Sequence, residues 1–177
     1  DLYAYGTLAQ VLKVFDMPDN SKSAIVQGIS RVKILDYTNQ EPYFSAAVES
    51  MEDEPITDGL EVDALVANLR QAFDELMKVA PNLTEEHSGM LKNIQKPNRL
   101  TDRAISVITI SNQEKQEILE ELNVKKRIEK ALNLISREIQ RIKLGEEIQS
   151  EVHDEITKTQ REYYLREQMK AIKKELG

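Results

Sequence analysis

Cysteine and tryptophan are both absent from the 177 residues. Without thiols there is no disulfide framework, no thiolate metal site and no cysteine nucleophile, which suits a reducing compartment. Histidine is nearly missing too. His87 and His153 stand far apart, and neither belongs to a two-histidine helical pair, so that route to a metal centre is closed. No apolar run approaches the ~18 residues of a membrane span, and no secretory signal pattern opens the chain. There is no GxxxxGK[ST] phosphate loop. The string Ser88-Gly89-Met90 lacks the strand-to-helix setting of a nucleophile elbow. The expectation for catalytic, cofactor-binding and metal-ligating residues is therefore none of each.

Charge, by contrast, is plentiful: 31% of residues are Asp, Glu, Lys or Arg, with a net of -7. That total hides an asymmetry. Residues 1–122 carry 11 basic and 21 acidic side chains, net -10, whereas residues 123–177 carry 13 and 10, net +3. Between Asp36 and Asp63 there is no Lys or Arg, so this region repels a phosphate backbone and speaks against nucleic acid as a partner. Glu49, Glu52, Asp53 and Glu54 are oxygen ligands by chemistry, but no EF-hand spacing surrounds them and a solvated linker is the simpler reading. His87 and His153 have acidic neighbours and read as surface histidines. Tyr163 and Tyr164, beside Arg161 and Arg166, have the chemistry to stack on nucleobases. The plainer reading sets one tyrosine in a helical seam and the other at its rim.

Three β-rich runs open the chain. Thr7 to Met17 is followed by the turn residues Pro18-Asp19-Asn20-Ser21, Ala24 to Tyr37 is interrupted by Gly28, where a bulge or bend is expected, and Tyr43 to Met51 completes an antiparallel meander. The chain offers few residues to cover such a sheet. After the acidic linker the apolar period changes to about 3.6. Leu60, Val62, Leu65, Val66, Leu69, Phe73, Leu76 and Met77 predict a helix over about 61–80, stopped by Pro81. Thr84 caps a short helix that Lys96-Pro97 ends, Arg99 begins another, and Ser111 or Asn112 caps a fourth up to Leu122.

Residues 124–176 then read as one helix of roughly 80 Å, rich in residues that lose little side-chain entropy on coiling. Val124, Ile128, Leu132, Ile135, Ile139 and Ile142 form a narrow seam at coiled-coil spacing. The spacing slips across Gly145, the candidate hinge, and resumes at Ile148, Val152 and Ile156 on a displaced face. Leu165, Met169 and Ile172, with Tyr163 and Tyr164 beside them, continue an apolar seam that nothing left in the chain can cover. These five are the candidate substrate- or partner-contact residues.

Several strings resemble one family, the ATP-dependent Lon proteases. The longest is Gln160 to Gly177, QREYYLREQMKAIKKELG, which is similar to the family's connector into its ATPase module. Asp1 to Val14 resembles its DLY-x-x-GT stretch, Val26 to Ile34 its glycine- and arginine-bearing strand, Arg99 to Ile105 its RL-x-D helix, and Val124 to Leu134 the start of its long helix. The resemblance implies an α+β fold: an incomplete antiparallel PUA-like β domain (1–54), a small helical bundle (60–122) and a long projecting helix (123–177). Its first half packs on the bundle and its second half leads toward an ATPase module. It further implies a fragment lacking the family's opening strands, with no cofactor of its own, although the parent uses ATP and Mg. The parent is a Ser-Lys endopeptidase, with this part presenting unfolded or damaged proteins and aiding assembly of a homohexamer. No membrane partner is expected. The implied location is the bacterial cytoplasm, with the mitochondrial matrix as the other compatible compartment. A structural helix-pairing module that binds no client is the rival expectation.

Overall fold

The structure is a computed structural model and describes residues 2–177; Asp1, the first residue of the DLY string, lies outside the described residues. Three strands come first, β1 (Tyr5–Asp16), β2 (Lys22–Asn39) and β3 (Ser45–Met51), in an antiparallel sheet of order β1-β2-β3. Five helices follow: α1 (Gly59–Val79), α2 (Glu85–Lys92), α3 (Pro97–Val107), α4 (Asn112–Glu120) and α5 (Val124–Leu176). The fold is α+β, as the pattern of periods indicated.

The meander is staggered. Lys22 to Ser30 of β2 pair only with β1 and Ile34 to Asn39 pair with β3, so only Arg31, Val32 and Lys33 have registered partners on both sides. The sheet is thus two ribbons sharing three rungs. Its turns follow residue chemistry: Asn20 takes φ 63°, a left-handed conformation that asparagine tolerates, and the Asp19 carboxylate accepts from the Ser21 N–H and hydroxyl. The break near Gly28 is a register shift. Leu8 pairs Ser30 and Ala9 pairs Gly28, leaving Ile29 as the extra residue, and a Cβ on Gly28 would sit 3.3 Å from the Thr7 methyl. Further shifts leave Leu12, Leu35 and Thr38 unpaired. Each shift offsets the two-residue alternation by one, so apolar side chains reach both faces of the ribbons.

The core lies in the helices. Val62, Leu69, Phe73 and Leu76 of α1 pack with Leu100, Ala104 and Ile105 of α3, Ile118 of α4, and Val124, Ile128, Ala131, Ile135 and Ile139 of α5. Leu60 does not join them; it lies on the opposite side of α1 from Val62 and Leu69 and is 86% exposed. Helix ends obey their caps. The Asp58 carboxylate accepts from the Glu61 N–H, the Thr84 N–H donates to His87 Nδ1, and Ser111 and Glu114 form a reciprocal capping box. α2 stops earlier than Lys96-Pro97 suggested: it ends at Lys92 with Asn93 as its C-cap. Pro97 instead sits in the first turn of α3, where its missing N–H costs nothing, so that helix starts two residues before Arg99.

α5 runs 53 residues without interruption, through Gly145 as through its neighbours. Its inner face is buried or half-buried as far as Ile142, and every residue from 143 to 177 is exposed.

Candidate protein-binding interface

Among the described residues, two stretches carry most of the exposed large apolar side chains. The first is the β1–β2 ribbon, in which every residue from 7 to 29 is exposed. Leu8, Val11, Leu12, Val14, Ile25, Val26 and Ile29 are among them, a concentration well beyond the isolated apolar residues any surface carries. Charged neighbours dilute it only locally: Lys13 lies over the Phe15 ring at 4.9 Å, and Lys22 pairs with Asp16 at 2.8 Å across the turn.

The second surface is the outer part of α5. Tyr163, Tyr164, Leu165, Met169 and Ile172 are between 49% and 68% exposed, so the structure gathers these five on one uncovered stretch of helix. No tyrosine there is sequestered; the Tyr164 hydroxyl accepts from Gln168 Nε2 at 3.1 Å, an exposed i,i+4 contact. Upstream, Leu144, Ile148, Val152 and Ile156 are about half exposed. The ribbon presents mainly aliphatic groups, whereas the outer part of α5 adds one thioether and two rings with polar tips, adaptable and amphipathic side chains.

The sheet is joined to the helices in part by a charge cluster that no local sequence pattern assembles, alongside a Gln116 Nε2 bond to Tyr5 O at 3.1 Å. Arg31 of β2 bonds the Asp102 carboxylate of α3 at 2.5 Å through Nη2, and its Nη1 lies 3.7 Å from Asp53 in the β3–α1 linker. Arg127 of α5, wholly buried, bonds Asp53 through Nη2, while its Nη1 lies 3.6 Å from Asp102. Two guanidiniums and two carboxylates therefore alternate across four separate segments. Both arginines also hold the end of α4: Arg31 Nε donates to Leu119 O at 3.0 Å and Arg127 Nε to Glu121 O at 2.7 Å, where the helix leaves its carbonyls free. Burial opposes the charge of Asp53, yet hydrogen bonds from Arg127 and Asn98 and the nearby charges of Arg127 and Arg31 outweigh it and hold its carboxyl below the usual range.

Asp53 is accordingly an internal ion-pair partner rather than a solvated linker residue or a cation ligand. Glu54 beside it accepts from Asn123 Nδ2 at 2.7 Å, and its N–H donates to Leu122 O at 3.0 Å. Among the described residues no cluster of His, Cys, Asp and Glu is placed to hold a metal ion, and no helix is long and apolar enough to cross a membrane. Three of the four cluster members lie in the strings that carry the family resemblance, which was the available signal.

A family model described as the ATP-dependent protease La (LON) substrate-binding domain matches residues 1–137. Among curated proteins, the Lon protease of Syntrophus aciditrophicus is 38% identical over 177 residues, which is 100% of this chain and 22% of that protein. The Lon protease of Anaeromyxobacter dehalogenans is 39% identical over 177 residues, 100% of this chain and 21% of its own length. The chain thus spans between a fifth and a quarter of the relatives it matches. Among solved structures, the N-terminal domain of the Mycobacterium avium complex Lon protease superposes with TM-score 0.64 at 21% identity, covering 75% of this chain and 70% of that one. A Lon N-terminal domain protein from Xanthomonas campestris gives TM-score 0.51 at 16% identity, covering 74% and 68%. At those identities the shared property is the fold.

Proposed function

The chain belongs to the family of ATP-dependent protease La (LON) substrate-binding domains, and from that membership we propose that it captures unfolded or damaged polypeptides and presents them to a proteolytic machine, performing no hydrolysis itself. The observation that carries this reading is the open apolar surface, in two separate places, on a chain whose helical core is otherwise well covered. Unfolded proteins expose apolar segments without fixed sequence, and two uncoordinated apolar surfaces bind such a client more tightly than either alone. In the whole protein, ATP and Mg drive the motor, a Ser-Lys dyad cleaves the client, and α5 carries the captured client's position toward the motor. That protein is a homohexamer in the bacterial cytoplasm. Gly145 serves as the point where the packed part of α5 gives way to the connector.

Titration of a labelled, permanently unfolded protein tests this directly. Saturable binding is expected to the unfolded form and not to its native counterpart, and Leu165→Glu with Met169→Glu lowers the affinity severalfold. Equal affinity of wild type and double variant would remove the arm from client binding.

One observation favours a second reading, a helix-pairing module. Ile148, Val152 and Ile156, and then Leu165, Met169 and Ile172, recur at steps of three and four on an uncovered helix. Sedimentation at high concentration separates the two: a dimer that binds no client supports pairing, and a monomer that binds client supports capture.

A further inference from the structure

Away from both apolar surfaces, a cavity of about 60 Å³ opens between α1, α2 and α3. Its walls are Leu69 and Phe73 of α1, Leu91 of α2, and Leu100 and Ala104 of α3, all buried side chains of the core. Its mouth is polar. Asp74 stands on the α1 side, and Ser88 and Lys92, one helical turn apart, stand on the α2 side. Arg70 also lines the space, but its guanidinium is committed, donating to Leu91 O at 2.8 Å and Ile94 O at 2.6 Å and so securing the end of α2. Asp74 and Lys92 take part in none of the ion pairs among the described residues.

We infer that this cavity is a socket for one aliphatic side chain of a polypeptide, of valine, leucine or isoleucine size. The apolar walls give an ordered water too few partners, so an apolar group is the favoured occupant. Size narrows the class further. An apolar cavity of about 150 Å³ is what accommodates benzene, so a space well under half of that takes a branched aliphatic tip and not an aromatic ring. The mouth matches the backbone that would carry such a side chain: the Asp74 carboxylate accepts from a peptide N–H, while the Lys92 ammonium and the Ser88 hydroxyl donate to a peptide carbonyl. Donors and acceptors on opposite walls suit a neutral, extended peptide crossing between α1 and α2. A free anion would meet Asp74 and a free cation would meet Lys92. This inference rests on the reading of the chain as a polypeptide-binding domain, and it places a single-residue subsite on the bundle, separate from the extended apolar surfaces.

The test uses methyl-detected NMR on the full chain with N-acetyl-leucinamide, N-acetyl-phenylalaninamide and N-acetyl-alaninamide as probes. The leucine probe should give saturable shifts at the methyls of Leu69, Leu91 and Leu100, with Kd of about millimolar order, and the other two should bind at least ~10-fold more weakly, about 1.4 kcal/mol. Ala104→Val, which adds two methyl groups inside the cavity, abolishes the shifts. Should that variant fold poorly, Ser88→Leu closes the mouth from a half-buried position and gives the same loss. Absence of saturable shifts, equal binding of the phenylalanine probe, or undiminished binding in a folded variant would each overturn the socket. Binding of the unfolded protein is scored separately: if it persists while leucinamide fails, the socket falls and the capture reading stands, and the converse result leaves the socket and removes the capture surfaces.

Discussion

Arg127 shows how a single side chain joins parts of the molecule that composition alone cannot connect. It is fully buried, it bonds Asp53 from 74 positions earlier in the chain, and Arg31 reaches Asp102 across 71 positions. A buried pair of this kind contributes little over a hydrophobic substitute, but removing one member leaves the others desolvated without a counter-charge. Arg127→Ala is therefore expected to lower stability by about 3–5 kcal/mol, read as a shift in urea midpoint. Restoring charge balance with Asp53→Asn in the same chain should recover part of the loss. Glu114 makes the pH dependence explicit. The N–H bond from Ser111, followed by the Arg137 contact and the Ser111 hydroxyl, lowers its carboxyl from 4.5 to about 2. Its folded pKa lies below its unfolded one, so the stability it supplies is present above 4.5 and disappears as pH falls through about 2. Unfolding curves collected across that window should show Glu114→Gln losing less stability on acidification than wild type. The motif strings contain Arg31, Asp102 and Arg127, but nothing local in a strand, a helix and a second helix reveals that they meet. Pairings over such separations are decided by tertiary packing.

The elements themselves were largely legible because each has a local cause. Pro81 stops α1, Thr84 and Ser111 cap α2 and α4, Gly28 adjoins the bulge it suggested, and the seam from Val124 to Ile142 faces the bundle. Two details were less legible for equally local reasons. Tyr43 and Phe44 have β-forming side chains but precede β3, which starts at Ser45 after the cis Glu41-Pro42 bond. Leu60 is apolar but falls off the period of the buried face of α1, half a turn from Leu69, and stays exposed. Along α5 the same residue type meets opposite environments. Ile135 is fully buried and Ile156 is half exposed, so Ile135→Ala should cost about 2–5 kcal/mol and Ile156→Ala within about 0.5 kcal/mol in chemical denaturation. A comparable loss at both sites would mean that the outer half of the helix is packed in solution.

At the scale of the whole molecule, a covered helical core, an ionic junction and two open apolar surfaces divide the work. The core and junction hold shape, and the surfaces remain available. The strings at Asp1 to Val14, Val26 to Ile34, Arg99 to Ile105, Val124 to Leu134 and Gln160 to Gly177 pointed to the family that the comparisons establish for residues 1–137. The choice of contact residues came from the seam that nothing in the chain covers. The socket between α1, α2 and α3 was not visible beforehand, since a small cavity depends on how three helices meet rather than on any one pattern. Amide hydrogen exchange with and without a saturating, permanently unfolded protein tests the capture account most directly. Slowed exchange across residues 7–29 and 163–172, with the buried face of α5 from Val124 to Ile139 unchanged, is the predicted result. Unaltered exchange in both open surfaces under conditions where the client is bound would contradict it.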